Sequence, residues 1–540
     1  MQPILQDYHT AAWAYFASVI GLVMIDGLIR LPTNLILLAN HGHPQPMIPL
    51  GHSRLSVLLH KIFTSPLPLP SVLASHQISD VFRLCGFIAL NILWGWNNLD
   101  HKSNFSLYGW LTIANGGVCL LMAARNNAFA TVARVPTTVL LMYHRWTGRA
   151  AVIHSTVHFA MVTRPWLTTN DAVEHFHHRF IQVGMVGWCS LCIIAITSVS
   201  LIRRRCFEAF YYTHFVFLAF VIGAMIHVRH GGPEFLLPGL ILWGIDRLIR
   251  FRYNFRSTHI VETAQYEGGV TKLKVRGIPS LHPCKIVWIQ IPSVCFWDWH
   301  PFTVASVGTD NEITVAIRGL GGYTRAVQTA VDVAQQFSVN SEESTSLRVR
   351  VDGPYGVGRL QWGLYPLTVL IAGGIGITPG ISIAAYIMQR ASRPAGEPTA
   401  CPPWHIHLVW IVKHREHIKW FAEELKALAD LASVPTVRAT FDLTIHITQE
   451  STPDSDGTSV KDEKGLHIAE TYGYDGPGRL VLGRPDILQL FNNLRQRYMN
   501  LDAAVNVCGP GELVSAVRTA AAKWSRPSGV FYVEDEAFEL

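Results

Sequence analysis

Seven long apolar runs crowd the first half of the chain, at roughly 11–30, 81–97, 106–124, 136–163, 179–202, 207–228 and 235–250. Each is near the roughly twenty residues a helix needs to cross a bilayer, so the pattern predicts seven transmembrane helices. After Arg256 the texture changes. Short alternating stretches, TKLKVRG, KIVWIQIPS and EITVAIRGL, predict antiparallel strands and a small β-barrel. From Pro366 the chain reads PLTVLIA, a buried parallel strand by composition, then glycines and a helix; HIHLVWIV and VNVC are further strands of the same kind. The expected fold class is a multi-domain membrane protein. An α-helical transmembrane bundle spans 1–257, a β-barrel 258–360 and an α/β domain 361–540.

Composition agrees with a membrane protein: of 540 residues, 49% are hydrophobic and only 15% charged. Basic clusters fix the expected orientation. Arg203, Arg204 and Arg205 follow the fifth run, and Arg247, Arg250, Arg252 and Arg256 surround the end of the seventh, so those ends face the cytoplasm. The N-terminus, which lacks the basic region and cleavage site of a signal peptide, then lies outside with its first run kept as a span. The loop with the sequon Asn104-Phe105-Ser106 lies outside too. Nine scattered cysteines imply no disulfide framework; Cys189 and Cys192, inside an apolar run, are expected to be buried. The net charge of +6 is modest and no basic tract stands out, which argues against nucleic-acid binding.

Histidines interrupt two of the runs. The fourth carries His144, His154 and His158, and the sixth carries His214 and His227. Fourteen residues separate His144 from His158 and thirteen separate His214 from His227, about 20 Å in each helix at 1.5 Å of rise per residue. The predicted topology makes His144 and His214 an inner pair and His158 and His227 an outer one, leaving His154 and His230 over. Imidazole is a common axial ligand of haem iron, and two depths of paired histidines read as two stacked haems. The competing explanation is interhelical hydrogen bonding, the commoner role of a single intramembrane histidine. Thirteen residues at 100° each do not return to the same face, so the second helix is expected to be distorted, near Gly223.

The soluble half carries phosphate-binding chemistry. His300-Pro301-Phe302-Thr303 lies among the predicted strands, and Arg318-Gly-Leu-Gly-Gly-Tyr-Thr324 leads into an amphipathic helix. A hydroxyl such as Thr324 at a helix start suits a phosphate, though ordinary capping uses the same residue. Gly373-Gly374-Ile-Gly376-Ile-Thr378-Pro379 follows a strand and opens a helix, the arrangement that lets a pyrophosphate reach backbone N–H groups. Pro379 stands where the dinucleotide fingerprint has its last glycine. Lys413, Arg415 and Arg484 follow strands and suit a 2′-phosphate, hence NADPH over NADH, with bidentate Arg484 expected to weigh most; a solvated basic loop is the alternative. Cys508, at a strand end before Gly509-Pro510, is either at the nucleotide or simply buried. Residues 448 to about 477 read as a polar insertion without chemistry.

Taken in order, these motifs resemble the ferric reductase and NADPH oxidase superfamily, and most closely its fungal ferric-chelate reductases. The resemblance covers nearly the whole chain. It implies that His144, His158, His214 and His227 ligate two b-type haems. HPFT resembles the family's flavin motif, so His300, Pro301, Phe302, Thr303, Arg318 and Thr324 would hold FAD. DGPYG, with Gly353, Pro354, Tyr355 and Gly356, would lie near the flavin pyrophosphate or the domain junction. GGIGITP would bind NADPH phosphates through Gly373, Gly374, Gly376, Thr378 and Pro379, and CGPGEL would bring Cys508, Gly509 and Pro510 to the nicotinamide. Family members often have arginine where this chain has Lys413, which shifts weight to Arg415 or Arg484. If a terminal aromatic shields the flavin, Phe538 is the candidate.

The function so implied is a transmembrane metalloreductase. Electrons from cytosolic NADPH would pass through FAD and two haems to a ferric or cupric chelate on the opposite face. The expected location is the plasma membrane, with the vacuolar or another internal membrane as the alternative, and a metal permease or oxidase is the candidate downstream partner. Glu174, His175, His177, His178, Arg179, Arg229 and His230 lie at the predicted outer ends and would meet the chelate, against the alternative of an ordinary polar rim. A superoxide-producing oxidase would use the same cofactors, and a histidine-lined carrier with a regulatory nucleotide domain is the non-enzymatic rival.

Overall fold

A computed structural model of the chain describes residues 7–29, 51–66, 77–96, 105–169, 172–278, 285–307, 311–340, 347–356, 360–392, 403–449 and 476–536. Two compact units emerge: one of residues 1–34 and 81–249, the other of 35–80 and 250–539. Asn104, Phe538 and most of the polar insertion lie outside the described residues.

The first unit is helical. Its main helices are α1 (Tyr8–Ile29), then α3 (Ile78–Trp96), α4 (Phe105–Ala123), α5 (Thr137–Thr169), α6 (Arg179–Thr197), α7 (Phe207–His214), α8 (Phe217–His227) and α9 (Gly232–Tyr253); α2 (Arg54–Thr64) belongs to the second unit. Against the seven spans that hydropathy predicts, five segments are long and apolar enough to cross a membrane: Tyr8–Ile29, Ile78–Gly95, Phe105–Ala123, Arg179–Thr197 and Phe207–His227. The other two expected spans are helices, α5 and α9, that carry polar side chains: Arg145, Arg149 and three histidines in α5, and Asp246, Arg247, Arg250 and Arg252 in α9. Small residues let the helices approach closely. A Cβ on Gly117 would come 2.3 Å from the Phe235 carbonyl oxygen, and one on Gly239 would come 2.6 Å from Leu120 Cβ. Polar pairs join helices as well: Arg83 donates to the Asp26 carboxylate at 2.6 Å, and the Tyr15 hydroxyl donates to Asn115 at 2.7 Å. Ile193, Ile196, Ile222 and Ile226 point outward, as lipid requires. Cys189 also points outward and Cys192 is half-buried, so neither is buried as expected: a helix with lipid outside exposes apolar side chains on that face.

The second unit holds two six-stranded sheets. The first is antiparallel in the order β1-β2-β5-β4-β3-β6, from β1 (His259–Tyr266), β2 (Val270–Arg276), β3 (Ile286–Gln290), β4 (His300–Val307), β5 (Glu312–Arg318) and β6 (Arg350–Tyr355). Leu273, Val275, Val287, Ile289, Ile313, Val315 and Ile317 alternate inward, with Val327 and Val331 of α10 (Gly322–Asn340) packed on them. The sequence predicts a barrel here; the pairing seen between the two edge strands' ends is a single bridge, His259 to Arg348.

The second sheet is parallel in the order β10-β9-β8-β7-β11-β12. Its strands are β7 (Leu367–Gly373), β8 (Trp404–Val412), β9 (Ala439–Ile447), β10 (Arg479–Leu482), β11 (Ala503–Cys508) and β12 (Phe531–Asp535). Helices α11 (Ile377–Ala391), α12 (Ala422–Ser433), α13 (Ile487–Arg497) and α14 (Gly511–Trp524) connect them. From β7 the chain moves outward to β10 and then returns to the other side of β7. The switch therefore falls between β7 and β11, where a crevice opens beyond the carboxyl ends of an open sheet.

Candidate functional site

Four of the five histidines in the expected spans face one another in two pairs. The ring centroids of His144 and His214 are 6.1 Å apart, and those of His158 and His227 are 6.4 Å apart. Two imidazoles bound through nitrogen to one metal, at about 2 Å each, stand roughly 6 Å apart. Both gaps therefore fit one iron.

Backbone carbonyls orient three of the rings. The Nδ1 of His144 lies 3.0 Å from the carbonyl oxygen of Cys119, that of His158 2.6 Å from that of Phe105, and that of His227 3.0 Å from that of Phe180. An Nδ1–H donated this way leaves the Nε2 lone pair for a metal. The buried Nδ1 of His214 has no hydrogen-bond partner among the described residues. Glycines clear room for the His158–His227 pair: a Cβ on Gly109 would come 3.2 Å from His158 Cε1, and one on Gly184 would come 2.8 Å from His227 Cε1. His154 is engaged elsewhere. Its Nδ1 lies 3.4 Å from Asn115 Nδ2, in the network that begins at Tyr15.

The distortion of the second histidine helix lies at Phe215 and Val216, between α7 and α8, rather than near Gly223. There the N–H groups of Phe215, Val216, Leu218 and Ala219 donate to carbonyls three residues back, at 2.9 to 3.2 Å. Such a turn advances about 120° per residue instead of 100°, which reduces the angular mismatch between His214 and His227. Gly223 has a packing role: a Cβ there would come 3.1 Å from the Val183 carbonyl oxygen.

The flavin-type motifs converge in the antiparallel sheet. His300 stacks on Tyr323 with centroids 3.8 Å apart, joining HPFT to the glycine turn before α10. The Tyr323 hydroxyl accepts from the N–H of Ile291, and burial pushes its pKa up to about 12. Thr303 is buried, with a hydroxyl that lacks any partner among the described residues, a polar atom suited to a bound cofactor. Pro301 pairs with Trp288 of β3, while Phe302 packs on the sheet's core. The Thr324 hydroxyl accepts from the Gly321 N–H at 2.9 Å, so it stiffens its own turn. In DGPYG, Asp352 is buried and takes a hydrogen bond from Arg250 at 2.8 Å, and Tyr355 donates to the same carboxylate. Arg256 donates to the Gly353 carbonyl at 2.6 Å, and Gly353 and Gly356 have φ of +124° and +101°, which exclude most other residues. Pro354 lies between them.

Two glycine turns meet at the switch point of the parallel sheet. Ala372 pairs with Cys508, so GGIGITP and CGPG leave adjacent strands side by side. A Cβ on Gly376 would stand 2.7 Å from the Cys508 carbonyl oxygen, and one on Gly373 would come 3.3 Å from Pro510 and 3.6 Å from Gly509. Gly374 has φ +57° and its carbonyl accepts from Trp410 at 2.8 Å. Thr378 and Pro379 occupy the first turn of α11, where proline costs no hydrogen bond. Cys508 is buried, and burial together with Glu536 and Asp535 holds its thiol well above the usual range. Arg318, at the end of β5, reaches within 3.9 Å of a Cβ position on Gly374, linking the flavin-type and nucleotide-type motifs. Lys413 and Arg415 follow β8, next to β7, whereas Arg484 follows edge strand β10, two strands further out and so roughly 10 Å away.

Sequence reading missed the contacts that lock the two sheets together. Trp420 donates to the Glu267 carbonyl at 2.7 Å and stacks on His417, and Lys272 pairs with Glu424 at 2.6 Å. Nothing local in the sequence marks pairs about 150 residues apart. At the expected acceptor end, His175 stacks on Trp166 with centroids 4.5 Å apart. Among the described residues no group of three or more His, Cys, Asp or Glu is arranged to hold a metal ion.

Three family models match the chain: "Ferric reductase like transmembrane component" over residues 108–225, "FAD-binding domain" over 257–359 and "Ferric reductase NAD binding domain" over 365–522. Ferric reduction oxidase 8, mitochondrial, of Arabidopsis thaliana is 26% identical over 369 residues, 66% of this chain and 48% of that one. Ferric/cupric reductase transmembrane component 2 of Saccharomyces cerevisiae is 25% identical over 441 residues, 77% of this chain and 58% of that one. A superoxide-generating NADPH oxidase heavy chain of Dictyostelium discoideum is 25% identical over 344 residues, 60% and 48% respectively. The chain spans about half the length of the curated relatives it matches.

Proposed function

The chain belongs to the superfamily of ferric reductases and NADPH oxidases, and from that premise we propose that it is a transmembrane metalloreductase, oxidising cytosolic NADPH and reducing a ferric or cupric chelate on the opposite face of the membrane. The observation that carries the reading is the two facing histidine pairs, 6.1 and 6.4 Å apart, in a chain that also has FAD- and NAD-binding domains. Bound FAD would supply the conversion of a hydride's electron pair into single electrons, and haem iron would supply a one-electron acceptor.

The protein's own groups bind and orient. His144 with His214, and His158 with His227, would each hold one b-type haem through Nε2. Thr303, His300 and Arg318 would hold FAD, with Thr324 shaping the adjoining turn. The N-terminus of α11 would receive NADPH phosphates at backbone N–H groups that Gly374 and Gly376 leave uncovered. Lys413 and Arg415 would meet the 2′-phosphate. The Cys508 thiol, held protonated by burial and two carboxylates, would lie against the nicotinamide as a neutral surface. The N-terminus outside, the nucleotide domain in the cytosol and the plasma membrane as location complete the proposal, with a metal permease or oxidase taking the reduced ion.

The Dictyostelium relative favours dioxygen as a second acceptor to be tested. Membranes containing the protein are given NADPH and a ferric chelate, with and without superoxide dismutase. Direct reduction is insensitive to the dismutase; reduction that the dismutase abolishes assigns the protein to the oxidases.

A further inference from the structure

Helix α2 is amphipathic in a way its own domain does not use. Its buried Val57 and its His60 face the nucleotide-binding unit, where His60 Nε2 lies 3.1 Å from the Phe531 carbonyl oxygen. Just before the helix, His52 Nε2 lies 2.9 Å from the Asp502 carboxylate. On the opposite side Leu55, Leu58, Leu59 and Ile62 are 65%, 53%, 43% and 42% exposed. Positions i, i+3, i+4 and i+7 of a helix fall within an arc of roughly 100°, so these four side chains form one stripe. Arg54 and Lys61 flank it, and the helix has no acidic residue.

Chain continuity ties α2 to an apolar span. The Ile78 N–H, at the first residue of an apolar span, donates to the Ser65 carbonyl at 3.2 Å, and Pro66 bridges to Gln77. The carboxyl end of α2 is thus hydrogen-bonded to the entry of the span Ile78–Gly95. A short helix with an apolar stripe, flanking cations and such an attachment has the makings of an interfacial helix. We propose that α2 lies in the headgroup layer of the cytoplasmic leaflet, its leucine and isoleucine stripe in the acyl boundary and Arg54 and Lys61 beside lipid phosphates, while its other face braces the nucleotide domain. The helix is then a two-sided clamp that holds this domain at the bilayer surface.

The test uses the full chain reconstituted in vesicles of phosphatidylcholine and phosphatidylserine. The photoreactive residue p-benzoylphenylalanine replaces Leu58, Ile62 or, as a control beside the stripe, Ser56. Flavin content identifies folded preparations, and Leu55 is the substitute position if one variant loses flavin. After irradiation, lipid adducts at Leu58 and Ile62 should exceed those at Ser56 several-fold. Equal lipid adducts at all three positions overturn the proposal, because the stripe is then no closer to lipid than the control. Adducts to another segment of this chain or to a second copy overturn it too, since protein then covers the stripe.

Discussion

Gly184 lies against the imidazole of His227, where a Cβ would stand 2.8 Å from both Cε1 and Nδ1. Real Cβ atoms do not approach so closely, so Gly184→Ala must move the ring and its bond to the Phe180 carbonyl. Gly187, one turn on, is the control: a Cβ there meets Phe220 at an ordinary 3.9 Å. We expect G184A to lose the outer haem and keep the inner one, and G187A to keep both, measured by the reduced difference spectrum of membranes. Two full haems in G184A would remove the space argument.

The histidine pairs make a sharper set. Alanine at His144, His158, His214 or His227 should each lower reducible haem absorbance, since each of these imidazoles would hold a haem iron. Alanine at His154 should leave it unchanged, because that ring is spent on Asn115. Equal haem in all five variants would falsify the ligand assignment.

Much of this was legible from residue order. Histidine spacing singled out the four rings that meet, and strand-glycine-helix punctuation located the turns at Gly373 and Cys508. Local pattern could not give the rest. Whether α5 is an apolar span depends on where Arg145, Arg149 and its histidines point, which composition does not say. The tightened turn at Phe215 and Val216 has no glycine or proline to announce it. Gly184 is readable only as one glycine among many until His227 is set beside it. Likewise side-chain chemistry alone favours Arg484 over Lys413, and only the strand order sets Arg484 further from the glycine turn.

That separation has a kinetic consequence. Lys413 and Arg415 leave the strand next to the glycine turn, so replacing either with alanine should raise KM for NADPH while leaving KM for NADH nearly unchanged. A charged hydrogen bond is worth about 1.5–3 kcal/mol, or roughly 10–100-fold. Arg484→Ala should do less. Steady-state kinetics with both nucleotides decides; a larger effect at Arg484 would place the 2′-phosphate over the edge strand.

Gly376 tests the junction of the two glycine turns. A methyl there meets the Cys508 carbonyl oxygen at 2.7 Å and its sulfur at 2.8 Å, both buried and neither at the end of a flexible side chain. Overpacking of this kind costs about 1–3 kcal/mol. Gly376→Ala should lower the thermal midpoint of the nucleotide domain and weaken NADPH binding together, as followed by calorimetry. Unchanged stability would mean the turns can part without cost.

The attachment of α2 should depend on pH through His60. Burial holds this imidazole below its ordinary value of about 6.5, so docked it is neutral, donating Nε2–H to the Phe531 carbonyl. Beside it, His52 and Lys61 oppose protonation and Asp502 favours it; the Tyr532 ring lies alongside. Released into water, His60 titrates near 6.5 and binds a proton before the docked form does. Docking is therefore at full strength above about pH 6.5 and weakens as pH falls toward the lowered pKa, by up to about tenfold per pH unit between the two. Hydrogen exchange of the Arg54–Thr64 amides in the full chain, corrected for the intrinsic pH effect, should show less protection at pH 5.5 than at pH 7.5. His60→Gln keeps a side-chain donor without the titration and should flatten the difference. Protection that stays constant in the wild type, or a difference that survives in H60Q, would remove His60 as the source of the pH dependence.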